Sequence, residues 1–321
     1  MAEKNTIVID TLGSDKGPEA IIEGAKLVLD EFPQIHLTLV GDEEFIKSFG
    51  LPSDRVKIIH APETITNYDN PVEAFYKKRD NVSVFKAVEE CGKDENAIGV
   101  IAAGNTGALL VGTLRYLLDE KRTRPALAAI LPNMAKGFTC LVDTGASIDA
   151  GPSQLVEFAH LGTDFMRKLY KIENPRVGLL SNGSEPTKGS HLVKETYPLL
   201  AKEDGINFIG NVEGSKALSG MCDVLVAEGF AGNQVLKVTE GTAVALITEI
   251  MKYGKKTGNE MMAQQLAGYL MKTYDFESLG AGIMLGARKY VMKCRGSSGP
   301  MAIKNTVKIL VNIMENKTFY E

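Results

Sequence analysis

The sequence predicts an α/β protein with a mostly parallel sheet and helices on both faces. Three observations carry this. Apolar runs of strand length alternate with helix-length amphipathic segments along the chain. Glycine-rich turns follow the strand-like runs, at the strand ends where open α/β sheets bind ligands. No internal repeat, low-complexity tract or Pro/Ser-rich linker interrupts the pattern. The reading is one continuous unit over residues 1–321, with at most two lobes.

Each element has its local reason. Residues 6–10 form a β-branched apolar run, and Pro18 then opens a helix over 18–31. A strand at 35–40, a short helix at 42–49 and a strand at 56–60 follow. Pro71 opens a long helix over 71–91. Strands at 97–102, 126–131 and 139–142 are separated by a helix at 106–118, and Pro152 opens a helix over 152–170. Strands at 176–180, 207–210 and 224–227 surround a helix at 190–201. Helices at 234–253, 259–274 and 304–314 complete the chain.

The segment near 252–277 differs from the rest. It carries Met261, Met262, Leu266, Tyr269, Leu270 and Tyr274, with Met262, Leu266 and Leu270 four apart on one helical face. Two readings stay open: a core or dimer face, and a helical apolar tip that touches a membrane or lipid carrier.

Composition narrows the function classes. There are 36 Lys plus Arg against 40 Asp plus Glu, a net charge of −4, and 44% of residues are apolar. Disordered and fibrous classes are excluded, and a mildly acidic chain has no general attraction for nucleic acid. No apolar run is long enough to span a bilayer, and residues 1–5 form no signal-peptide core. Cys91, Cys140, Cys222 and Cys294 form no CxxC pair, and the four histidines show no metal-ligand spacing. A reduced, cytoplasmic chain without metal or cofactor is expected.

Five turns hold the candidate site. The first, residues 10–18, contains Asp10, Gly13 and Asp15 and opens a helix, whose free N–H groups suit phosphate. The second places Gly104, Asn105, Thr106 and Gly107 at another helix start. The third contains Asp143 and Gly145. The fourth contains Gly183 and Lys188, a cation near a helix start, where the dipole disfavours it unless an anion or carbonyl is held there. The fifth runs from Glu228 to Asn233. Together they suggest one crevice rich in amide donors, with chemistry by positioning and electrostatic stabilisation. GxSxG, HExxH and a Cys–His nucleophile motif are absent.

These residues resemble the PlsX family of bacterial phosphate acyltransferases over nearly the whole chain. The likeness rests on Asp10…Gly13-Ser14-Asp15…Gly17-Pro18, Val40-Gly41-Asp42, residues 103–108, Arg124-Pro125-Ala126-Leu127-Ala128 and Asp143-Thr144-Gly145-Ala146. It continues through Gly183-Ser184-Glu185…Lys188-Gly189, residues 208–214 and Gly229-Phe230-Ala231-Gly232-Asn233. The chain departs from the family pattern at Leu12-Gly13-Ser14-Asp15, where Met-Gly-Gly-Asp is usual, and at Arg295, where a histidine is usual. Ser181 replaces an asparagine and Glu228 an aspartate.

The resemblance implies transfer of a long-chain acyl group from acyl carrier protein to inorganic phosphate. It also implies a fold like that of isocitrate dehydrogenases and phosphotransacetylases, a homodimer, and peripheral membrane association. Lys188, Asn233 and Asn105 are then the expected catalytic residues. Asp10, Gly13, Asp15, Gly104, Thr106, Gly107, Asp143 and Gly183 are the expected phosphate or substrate contacts. Residues 77–79 and Lys252, Lys255 and Lys256 are candidates to dock the acidic carrier protein. Alternatives are a short-chain phosphotransacetylase using acyl-CoA, a dehydrogenase of the isocitrate type, and a non-enzymatic membrane-associated scaffold for lipid synthesis.

Overall fold

The computed structural model describes residues 5–66, 68–122, 124–274 and 281–315, without the side chains of residues 272 and 274. In chain order the elements are β1 (Thr6–Asp10), α1 (Gly17–Glu31), β2 (His36–Gly41), α2 (Glu43–Lys47), β3 (Val56–His60), α3 (Pro71–Lys78) and α4 (Ser83–Lys93). Next come β4 (Ala97–Ala102), α5 (Thr106–Tyr116), β5 (Ala126–Pro132), β6 (Phe138–Val142), α6 (Pro152–Tyr170), β7 (Arg176–Ser181) and α7 (His191–Leu200). The chain continues through β8 (Asn207–Glu213), β9 (Val224–Val226), α8 (Gly229–Thr257), α9 (Glu260–Tyr274), β10 (Gly282–Leu285), β11 (Tyr290–Lys293) and α10 (Pro300–Met314).

Two compact units emerge. Among the described residues, the first holds those up to 128, 168–171 and 281–315; the second holds 129–167 and 172–274. In the first unit the strand order is β3-β2-β1-β4-β11-β10-β5. β1, β2, β3, β4 and β11 run parallel, and β10 is antiparallel to both neighbours. Ile7, Val8 and Ile9 are fully buried, as are Leu39 and Val40, which explains why these strands are apolar on both faces. Helix α1 packs on α10, and α4 packs on α5. In the second unit β6, β9, β7 and β8 are parallel neighbours in that order. Leu131, Leu141, Val212, Cys222 and Leu225 form its core.

The structure corrects some element boundaries. The helix expected over 71–91 is two helices. Glu63 breaks it: its amide donates to Asn81 O (3.0 Å), and its carbonyl accepts from Ser83 N (2.9 Å). A tertiary bridge thereby replaces the intrahelical bonds. The short strands β10 and β11 were not expected; four-residue strands leave almost no periodic signal. Helix α8 begins at Gly229 rather than 234, because Glu228 caps it by accepting from Phe230 N and Ala231 N. Helix α10 begins at Pro300 rather than 304. Residues 275–277 of the apolar segment lie outside the described residues. Among those described, no helix is long and apolar enough to cross a membrane.

Candidate active site

In the first unit three loops meet at the C-terminal ends of parallel strands β1, β4 and β11. The β1 loop turns at Gly13, whose φ of +83° favours glycine. A Cβ there would stand 2.8 Å from Gly104 Cα, so the β1 and β4 loops touch through bare backbone. The loop after β11 closes the third side: Gly296 O accepts from Asp15 N (2.8 Å) and from Ser14 Oγ (3.1 Å). The structure thus gathers Asp10, Gly13, Asp15, Gly104, Asn105, Thr106 and Gly107 in one place.

Asn105 is the N-cap of α5. Its Oδ1 accepts from Ala108 N (3.0 Å) and its Nδ2 donates to Thr66 O (3.2 Å), so both ends of the amide are anchored. The amides of Thr106 and Gly107 have no acceptor inside the helix and lie at its positive end. This is an anion-binding geometry.

Beneath the loops lies Asp10, only 2% exposed, with Oδ1 accepting from Leu12 N (3.1 Å). Burial pushes its carboxyl up to about 7, against the opposing influence of Ser83, the Leu12 amide and Lys293. Ser83 Oγ stands close enough to lower it, yet makes no hydrogen bond of normal geometry. Lys293 anchors its ammonium on the carbonyls of Ala103 (3.3 Å) and Cys294. Ser83 and Lys293 are residues that sequence reading missed. One lay hidden inside an apparently continuous helix, the other on the unexpected strand β11.

The second unit holds the remaining candidates. Asp143 is fully buried, and its carboxylate accepts from the amides of Gly145 (3.2 Å), Ala146 (3.1 Å) and Ser147 (2.6 Å). It therefore organises its own turn. Gly229 N donates to Ser147 O (2.8 Å), which fastens that turn to the start of α8. Asn233, partly exposed, stands in the second turn of α8, since Glu228 takes the cap. Gly183 and Lys188 share the loop after β7. That loop is braced by Asn182 Oδ1 accepting from Gly189 N (2.8 Å) and by Asn211 Nδ2 donating to Glu185 O (2.8 Å). Lys188 is exposed and precedes Ser190, the N-cap of α7.

All four cysteines are buried and free. Burial raises every thiol, Cys91 and Cys222 to about 12, so none supplies a thiolate nucleophile. Among the described residues no three His, Cys, Asp or Glu side chains gather as a metal site requires. Of the proposed docking cations, Lys77 and Lys78 pair with Glu73 (3.0 Å) and Glu63 (3.3 Å), and Lys252 pairs with Glu249 (2.7 Å).

Solved structures define the fold class. A phosphotransacetylase from Streptococcus pyogenes superposes with a TM-score of 0.62 at 16% identity, covering 98% of this chain and 94% of that one. A branched-chain phosphotransacylase from Enterococcus faecalis V583 gives 0.61 at 15% identity, covering 97% and 99%. The fold is that of the phosphotransacetylases.

The family follows from sequence. The family model described as fatty acid synthesis protein matches residues 5–319. A protein named phosphate acyltransferase from Streptococcus thermophilus is 39% identical over 320 residues, covering 98% of this chain and 95% of the relative. Its namesake from Enterococcus faecalis is 38% identical over 321 residues, covering 97% and 95%. The chain belongs to the fatty acid synthesis protein family and is an enzyme of the acyltransferase class.

Proposed function

We propose that this chain transfers a long-chain fatty acyl group from acyl carrier protein to inorganic phosphate, giving acyl phosphate for phospholipid synthesis. The observation that carries the phosphate part is the loop cradle at the start of α5, where the loops after β1, β4 and β11 meet beside a helix N-terminus with free amides. The names of the relatives support the same acceptor.

In this mechanism a phosphate oxygen attacks the thioester carbonyl carbon. The C–O bond forms, the tetrahedral oxyanion collapses, and the C–S bond breaks to release the carrier-protein thiolate, which takes up a proton. No covalent acyl-enzyme is needed, in keeping with four buried, raised thiols. The amides of residues 104–107 hold phosphate. Asn105, Asn233 and Lys188 are proposed to stabilise phosphate or oxyanion charge, and loss of one such donor typically slows an enzyme by about 10²–10³-fold. Buried Asp10 and half-buried Lys293 form the polar floor of the cradle.

The exposed apolar surface of α8 and α9 supports a homodimer and a peripheral membrane contact. Val238, Tyr253, Met261, Met262 and Tyr269 are each at least 65% exposed. The exposed Lys255 and Lys256 suit an acidic carrier protein.

Purified protein with palmitoyl-acyl carrier protein tests the reading. Phosphate-dependent release of carrier-protein thiol, with an acyl hydroxamate after hydroxylamine trapping, is expected. Turnover with acyl-CoA and phosphate but not with the carrier-protein thioester would replace it with the phosphotransacetylase reading.

A further inference from the structure

The opposite end of the first unit's strands, away from the loop cradle, holds a cavity. β4 and β11 run parallel, so the cradle takes their C-terminal ends, while Ala97 and Tyr290 begin them at the other end. There a half-open cavity of about 340 Å³ is lined by Lys168, Lys171, Arg288 and Lys289, with Tyr290 and an apolar floor that includes Ile313. No carboxylate is among its lining residues. The volume is within the range of small-molecule sites, about 300–1,000 Å³.

Backbone carbonyls accept from three of these cations. Lys171 Nζ donates to Lys168 O (2.9 Å), the Arg288 guanidinium to Tyr116 O (2.6 Å), and Lys289 Nζ to Asp94 O. Lys168 Nζ stands 5.9 Å from the centre of the Tyr290 ring. Lys168, Lys171 and Arg288 form no ion pair among the described residues.

Lys171 adds a backbone observation. It follows α6 directly and has φ +56°, the left-handed conformation that helix ends usually give to glycine. A lysine there retains strain that glycine would not. Compensation of the helix dipole explains a cation at the end of α6. It does not explain why Arg288 and Lys289, from the turn before β11, converge on the same cavity.

We propose that this cavity binds a soluble phosphate monoester carrying an apolar chain. Lys168, Lys171 and Arg288 together favour a dianionic head over a single carboxylate, and the apolar floor takes the chain. The site stands independently of the acyl-transfer reading.

Calorimetric titration with octyl phosphate tests it, using wild-type protein and the variants Lys171→Gly, Lys168→Ala/Arg288→Ala and Asn105→Ala. The expected result is a binding event that weakens at least tenfold in the double variant and measurably in Lys171→Gly, and that persists in Asn105→Ala. Lys171→Gly relieves backbone strain, so a folded protein is expected there even if the double variant is unstable. Affinity unchanged in both cation variants would overturn the proposal, as would loss only in Asn105→Ala, which would put the ligand in the cradle. Equal affinity for octanol would overturn the anionic head. Binding to phosphatidic acid vesicles through these cations, without binding of octyl phosphate, would overturn the soluble ligand.

Discussion

Asp10 shows how a single residue couples burial to chemistry. Its carboxyl is raised by burial from 3.8 to about 7. The neutral form is thus the one the fold prefers, and the sign follows: wild type loses stability as pH rises through the window from about 4 to 7, then levels off. Asp10→Asn is expected to remove that slope. In urea denaturation at pH 4 and pH 8, the stability difference between wild type and variant should change by on the order of 3–4 kcal/mol. Parallel pH profiles for the two proteins would refute the buried-acid assignment. Gly232 makes a second prediction at this scale. A Cβ there would run into the carbonyl of Asp143, so Gly232→Ala should destabilise the protein by roughly 1–3 kcal/mol, read as a lowered Tm. For the proposed catalytic donors, Lys188→Ala and Asn233→Ala are expected to lose most activity with unchanged circular dichroism. Near-wild-type turnover in both would remove them from the mechanism.

At the scale of elements, the α8–α9 hairpin carries the least satisfied surface. Gly254 admits Ala263 closely, so α9 folds back along α8 through small residues while the larger Met262 and Leu266 stay outside. The sequence left two readings of that face open, a packed interface and a membrane tip. The helix pair excludes one version of the first, since Met261 and Met262 are not buried within the chain. Met262→Glu/Leu266→Glu is expected to leave the far-ultraviolet spectrum unchanged. Light scattering and liposome co-sedimentation then separate the remaining roles: halved mass marks a dimer face, lost sedimentation a membrane tip. Neither change would return the hairpin to a plain solvated element. The start of α5 is the other decisive element. Asn105→Ala removes the cap and the Thr66 tie together, so activity and stability should both fall. Asn105→Asp keeps the cap acceptor and is expected to recover stability, at about 1 kcal/mol, but not activity.

For the molecule as a whole, two ends of the first unit's sheet have opposite characters. The C-terminal ends collect glycines, amides and a buried acid, while the N-terminal end of β4 and β11 collects cations around a cavity. Strand β11 contributes to both, with Tyr290 at one end and Lys293 at the other. The acyl-transfer assay and the octyl phosphate titration examine these ends separately, so either reading can fail alone.

The alternation of elements, the mostly parallel sheet and the glycine turns were all legible in the amino-acid order. Those features are written in local periodicity and in residues whose backbone freedom or capping chemistry acts over a few positions. Asn105 as a cap and the prolines opening α1, α3 and α6 belong to that class. The remaining features came from contacts between distant parts of the chain. Tertiary packing paired β10 and β11 into the sheet, split the helix at Glu63, and set Gly13 against Gly104, 91 positions along the chain. It also spent Asp143 on its own turn and raised Asp10 by desolvation. These outcomes depend on which distant groups exclude water from one another, and no local spacing records that.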